Sequence, residues 1–188
     1  IDIGTSTIAI SSVGETQLTE LAQGLNNKSE NDLIVRLQRK LDRQRRANNP
    51  DNYNEDGTIK RGFKVWNDSK EYLKTKEELA ELQRTRAMRR RNQHQTLANK
   101  IVTSGDRFIV EQMSFKGLQA KAKEATKSET TGRYRSRKRY GKTIGHRAPA
   151  MLVEMIRLKA ELQGKTFIKA QTSKVKASQL DHITGQYT

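Results

Sequence analysis

Ile1-Asp2-Ile3-Gly4-Thr5-Ser6-Thr7-Ile8-Ala9-Ile10-Ser11-Ser12-Val13 is the stretch on which the reading of this chain turns. It is rich in β-branched residues that partly alternate with polar ones, and Gly4 to Ser6 interrupts it. That pattern predicts a strand, a tight turn and a second strand, a β-hairpin. Asp2 stands inside the first strand with Ile on both sides. An unpaired carboxylate in an apolar strand is costly, so its presence asks for a chemical reason.

Outward from the hairpin, the pattern alternates between strand and helix. Gln17 to Ala22 reads as a third short strand. Asn31 to Ala47 reads as a helix with Ile34, Leu37 and Leu41 on one face and basic residues on the other. Asn48 to Asp68 is rich in Asn, Asp, Gly and Pro and reads as a loop, with Tyr53, Phe63 and Trp66 expected to pack. Ser69 to Val102 reads as one long helix and Asp106 to Met113 as a strand. Ser114 to Gly145 reads as a basic loop, Ala148 to Gln163 as a helix, and Thr166 to Ala170 as a final strand.

The charge is strongly uneven. The chain has 188 residues and a formal net charge of +16. Arg36 to Arg46 nets +5, Arg84 to Arg91 another +5, and Thr131 to Arg147 nets +7, so everything else nets −1. Such clustering is the electrostatic footprint of a polyanion partner, and three acid-poor runs favour nucleic acid. No basic run carries a strong apolar face of the kind that lies on an anionic membrane. No apolar run approaches the roughly 18 residues that would cross one. With no Cys at all, disulfides, thiolate zinc sites and a Cys nucleophile are excluded.

Within the long helix, only Ala87 and Met88 are apolar between Gln83 and Thr96. Arg86, Arg89 and Arg90 share one stripe, with Arg84 and Arg91 nearly opposite. Two readings stand: a helix tracking phosphates, or a solvent-bridging helix held by acidic neighbours. In the basic loop, Arg133, Arg135, Arg137, Lys138 and Arg139 interleave with Tyr134 and Tyr140. That composition suits single-strand contact by stacking and phosphate neutralisation, and equally a disordered basic segment.

A second carboxylate, Glu111, ends the apolar strand Arg107-Phe108-Ile109-Val110-Glu111. Carboxylates on neighbouring strands can converge on a divalent metal, and hard oxygen ligands favour Mg²⁺ or Mn²⁺ over zinc. Asp2 and Glu111 are therefore the candidate catalytic and metal-holding residues.

The opening Asp-x-Gly-Thr pattern is similar to that of two classes. In sugar kinases and actin-like ATPases such a hairpin cups ATP phosphates, but that reading explains none of the basic runs. In the RuvC branch of the ribonuclease H-like nucleases a first-strand Asp holds the catalytic metal. Together with Leu37-Gln38-Arg39-Lys40-Leu41-Asp42-Arg43 and Phe108-Ile109-Val110-Glu111-Gln112-Met113-Ser114-Phe115-Lys116-Gly117-Leu118, the chain resembles the RuvC domain of TnpB proteins. These are transposon-encoded, RNA-guided DNA endonucleases related to type V CRISPR effectors.

The resemblance implies a ribonuclease H-like α/β fold with a mixed sheet, interrupted by a basic helical pair over residues 31–104. It implies Asp2 and Glu111 as the first two catalytic acids, with Mg²⁺ or Mn²⁺. It also implies guide RNA and target DNA as partners, and the cytoplasm of a prokaryotic host. Two departures accompany it. The segment 172–188 matches the start of the family's zinc ribbon but lacks Cys. The third acid expected of the family is not found, Asp181 being the only nearby candidate, so the chain reads as a fragment of the nuclease domain. The reading from another class is a non-catalytic, basic RNA- or DNA-binding module with vestigial acids.

Overall fold

The computed structural model describes residues 1–12, 14–24, 27–121, 123–134 and 140–171. The segment 172–188, expected to be ribbon-like, lies outside the described residues, as do Arg135, Arg137, Lys138 and Arg139 of the basic loop. The chain divides into two compact units, residues 24–89 and the remainder, residues 1–23 with 90–188. The helical unit starts before and ends before the 31–104 insertion read from sequence, the last turns of the long helix packing with the sheet.

In the sheet unit, β1 (Asp2–Ile3) and β2 (Thr7–Ser12) form the expected hairpin, with Asp2 opposite Ala9 and Ile3 opposite Ile8. The Gly4 amide donates to the Thr7 carbonyl at 2.9 Å and closes the turn. Antiparallel β3 (Glu15–Glu20) lies on the other side of β2. A separate ladder pairs β4 (Arg107–Glu111) with β5 (Thr166–Ala170) in parallel, Glu111 opposite Ala170.

Two hydrogen bonds join the ladders. The amino nitrogen of Ile1 donates to the Ile109 carbonyl at 2.7 Å, and the Glu111 amide donates to the Ile1 carbonyl at 3.1 Å. That pair of bonds, flanking one residue, is the pattern of a parallel bridge and sets Ile1 opposite Val110. The strands therefore follow one another as β3, β2, β1, β4, β5, antiparallel on one side and parallel on the other. The protein is mixed α/β.

Side-chain alternation decides which sheet face is covered. Along β4, Phe108 and Val110 are buried while Arg107 and Ile109 are exposed, the two-residue period of a strand with one packed face. Ile3 and Ile8, paired across the hairpin, bury on that same face. Against them pack Ala98, Ile101 and Val102 from the end of helix α2 (Lys70–Thr103) and Leu152, Ile156 and Ala160 from helix α5 (Pro149–Leu162). Leu152, Ile156 and Ala160 recur every four residues and so form one stripe. Burial of a large aliphatic side chain of this kind contributes about 1.5–3 kcal/mol. Helix α5 also supplies the crossover that a parallel β4–β5 pair requires.

The stretch 114–145 is not wholly a loop. Helix α3 (Phe115–Gln119) opens it, capped by Ser114, whose hydroxyl accepts from the Gly117 amide. Helix α4 (Gly141–Arg147) closes it, anchored by the buried Ile144. Gly141 and Gly145 depress its helix propensity, so tertiary burial overrides a local signal that reads as loop. Ala148, at φ +46°, breaks the path between α4 and α5, and Pro149 then starts α5 where no amide donor is needed.

In the helical unit, helix α1 (Lys28–Asn48) starts on Asn27, whose side-chain oxygen accepts from the Ser29 amide at 2.9 Å. Arg86 donates to Asn31 and Arg89 pairs with Glu30, while Asn48 donates to Ser69 at the start of α2. These contacts make α1 and the first part of α2 antiparallel. The loop between them is pinned by Asn49, which donates to the Arg45 and Asn67 carbonyls and accepts from the Asn67 amide.

Candidate functional site

The bridge that sets Ile1 opposite Val110 also sets the next residues, Asp2 and Glu111, opposite one another. Adjacent strands lie about 4.7–4.9 Å apart, so the two carboxylates leave the same sheet face from neighbouring backbone positions. Both belong to the face that Ile3, Phe108 and Val110 turn away from; Asp2 is exposed and Glu111 half-buried. Nothing in either strand's own residues dictates this register. Among the described residues, no group of three or more His, Cys, Asp or Glu side chains gathers as a metal-ligand set. Two carboxylates suffice for Mg²⁺, which commonly keeps several waters and binds one or two acids plus substrate phosphates. Asp2 and Glu111 present that donor set.

Beyond the end of β4 lies a cavity of about 230 Å³, lined by Glu111, Phe115, Val153, Glu154 and Lys169 among others. Glu154 has its carboxyl held below the usual range chiefly by the hydrogen bond from Arg157, with Lys169 adding a smaller pull. Arg157 is fully used, bonded to Glu154 and to Glu161. Lys169 makes no ion pair among the described residues; it stands opposite Val110 in the ladder, so it belongs to the sheet face that Asp2 and Glu111 turn away from.

The hairpin carrying Asp2 is tied down by a residue that sequence reasoning does not single out. In the sequence, Arg147 is only one cation in a basic run. Its guanidinium instead donates to the Ser6 carbonyl at 2.9 Å and the Leu21 carbonyl at 2.8 Å, and pairs with Glu20 at 2.7 Å. It fastens the β1–β2 turn and the residue that follows β3, which lie side by side at one end of the meander. The carbonyl of Arg147 accepts from Nε2 of His94 at 2.7 Å. His94 is 1% exposed, and burial pushes its pKa below the ordinary 6.5. Nothing in the local sequence distinguishes Arg147 from its neighbours, because its partners lie more than a hundred residues away.

The five arginines of the α2 run are placed one by one. Arg84 forms a two-pronged pair with Glu81, one turn earlier on the same helix. Arg86 reaches Asn31, Arg89 reaches Glu30, and Arg90 donates to the Gly145 and His146 carbonyls. Arg91 is exposed and makes no such contact among the described residues. In the basic loop, Arg133 is exposed, and one face of the Tyr134 ring is covered by Lys127, 5.0 Å from its centroid.

Helix α1 differs. Arg36, Arg39, Lys40 and Arg43 are exposed and have no ion pair or hydrogen bond through their side chains among the described residues. At about 100° per residue they fall within one stripe roughly 100° wide, away from the buried Leu37.

No protein-family model, curated protein or solved structure matches the chain. Among the described residues, no helix is long and apolar enough to cross a membrane.

Proposed function

We propose that this chain is the RuvC-like part of a metal-dependent, RNA-guided DNA endonuclease of the TnpB or type V CRISPR kind, with a ribonuclease H-like fold. The observation that carries the nuclease reading is the register of Asp2 against Glu111. Two acids drawn from sequence positions more than a hundred residues apart stand opposite each other on one sheet face. The mixed sheet, with β1 and β4 as parallel neighbours, is the frame such a site needs. The guide RNA and target DNA rest on the sequence resemblance and on the uncommitted stripe of α1.

In this reading Asp2 and Glu111 act as acceptor-only oxygen ligands that hold Mg²⁺ or Mn²⁺. A divalent ion bound there supplies charge neutralisation at the phosphate and a lowered pKa for water. Arg147 fixes the hairpin and with it the position of Asp2. Hydrolysis breaks the phosphorus bond to the 3′ oxygen as a water oxygen bonds in line, leaving a 3′-hydroxyl and a 5′-phosphate.

Two measurements test this. Mn²⁺ should raise the thermal midpoint of the wild-type protein, because an ion that binds only the native state stabilises it by mass action. Asp2→Ala and Glu111→Ala should each abolish that rise, and each should abolish cleavage of a labelled single strand while leaving nucleic-acid binding in place. An undiminished Mn²⁺ effect in both variants would remove the pair from any metal site and return the binding-module reading to first place.

A further inference from the structure

The loop joining α1 and α2 carries three aromatic residues, and the sequence leads one to expect all three to pack. Two do. The guanidinium of Arg45 lies 3.8 Å from the centroid of Trp66, and Tyr53 meets Trp66 edge-on at 6.0 Å. Phe63 is 95% exposed.

This exposure is not that of a loose tip. Gly57 and Gly62 have φ of +79° and +95°, values that favour glycine, and Gly62 turns the chain directly before Phe63. A side chain at Gly57 would also collide with Arg46. Asn52 donates to the Val65 carbonyl at 2.8 Å and accepts from the Lys60 amide at 3.0 Å, so both arms are fastened. Between those fastenings the chain alternates: Lys64 and Trp66 are half-buried, while Phe63 and Val65 are exposed. The loop is built to display the ring.

Its surroundings define the partner. Lys60, Arg61 and Lys64 flank Phe63, and no acid occurs from Gly57 to Asn67. Lys60 and Arg61 have no side-chain partner among the described residues. Lys64 donates only to the neutral Gly62 carbonyl. A solitary ring framed by uncompensated cations matches a ligand that offers a flat π-face beside a negative charge. An unpaired nucleotide has both groups.

We propose that Phe63, with Lys60, Arg61 and Lys64, is a stacking finger that takes one unpaired base of a single-stranded nucleic acid and neutralises the adjoining phosphates. The proposal rests on the nucleic-acid partner assigned above, not on the carboxylate site. The ring stacks on the base whatever its identity, so the contact favours unpaired over duplex strands and is indifferent to sequence.

The test is fluorescence anisotropy with a labelled oligothymidylate, the same strand carrying abasic sites, and a hairpin duplex, all in EDTA so that nothing is cut. Phe63→Ala should weaken binding to the oligothymidylate about fivefold or more. It should leave the salt slope unchanged, and Phe63→Trp should restore affinity. The loss should vanish on the abasic strand and on the duplex. A Lys60→Ala/Arg61→Ala/Lys64→Ala variant should flatten the single-strand salt slope by about 0.7 for each phosphate it no longer neutralises. Equal affinity of wild type and Phe63→Ala for the oligothymidylate overturns the finger, as does a Phe63-dependent preference for phosphatidylserine vesicles over nucleic acid. Wild type binding no nucleic acid defeats both this inference and its premise. A Phe63 effect alongside an undiminished Mn²⁺ response in Asp2→Ala and Glu111→Ala leaves the finger standing and sinks only the nuclease reading.

Discussion

Helices α1 and α2 carry basic runs of the same net charge, yet most of the α2 run is spent on partners within the protein. In the α1 run only Arg45 and Arg46, at its end, are engaged among the described residues, on Trp66 and on Asp42 and Tyr53. In α2, Arg84, Arg86, Arg89 and Arg90 each bond to a group of the protein itself. In α1, Arg36, Arg39, Lys40 and Arg43 bond to none of the described residues. The difference lies in the acceptors, not in the cations. Glu30 and Asn31 at the start of α1 face the α2 run, and the end of α4 offers the Gly145 and His146 carbonyls to Arg90. Where a helix can bring acceptors to its arginines, folding consumes them; where it cannot, the positive field stays available to a polyanion.

The sharpest way to break this comparison is to delete each set. Replacing Arg36, Arg39, Lys40 and Arg43 together by Ala should weaken duplex binding strongly and lower the salt slope by about 0.9 for each phosphate no longer neutralised. Urea unfolding should hardly change, since exposed cations without partners contribute little to the fold. A salt slope equal to that of the wild type, read from anisotropy across a salt series, would erase the distinction drawn for α1.

Removing Arg86 and Arg89 should do the reverse. Glu30 is only 9% exposed through its side chain, so Arg89→Ala strands a buried carboxylate. The double variant should lose about 1–3 kcal/mol in urea unfolding, with its salt slope close to that of the wild type. A flattened slope at full stability would instead make these two arginines phosphate-binding groups, the first of the two readings of the α2 run.

The smallest effect concerns pH. Because burial lowers the pKa of His94 in the folded protein, the unfolded chain takes up the proton first. Arg90, packed nearby on the same helix, pushes in the same direction, while the bond to the Arg147 carbonyl opposes it. The contribution of His94 to stability is therefore complete above its ordinary 6.5 and is lost as pH falls below that value. The urea midpoint should drop between about pH 7.5 and about pH 5.5, and His94→Gln, which keeps a donor for the Arg147 carbonyl, should drop less. Equal drops in both proteins would show that other groups govern the acid limb.

Much of the architecture is legible in the sequence because it follows from local rules. The β1–β2 hairpin, α1, α5 and β5 announce themselves by residue pattern, whereas Asp2, which reads from sequence as a costly buried acid, is exposed in the structure. The carboxylate pair is legible as two residues, but its register is not, since that depends on backbone bonds between Ile1 and β4. Partner choice is illegible altogether. Arg147 and Arg43 are the same residue type in similar basic runs, and only long-range packing makes one a half-buried tie and the other an open charge. Phe63 likewise cannot be told from Trp66 until Asn49 and Asn52 have fixed the loop.

The bridge between Ile1 and Val110 makes the carboxylate pair a matter of parity. A strand offers its faces to alternate residues, so a step of one position in β4 exchanges Val110 and Glu111 between the core and the open face. Substitutions of similar volume at Phe108 or Val110 leave that parity intact, as does a change of two residues. Gain or loss of a single codon within β4 cannot. Such an event buries an acid and exposes an aliphatic side chain in one stroke, coupling loss of the site to loss of the fold. The strand therefore tolerates change in composition of similar volume but is sensitive to an odd step in length.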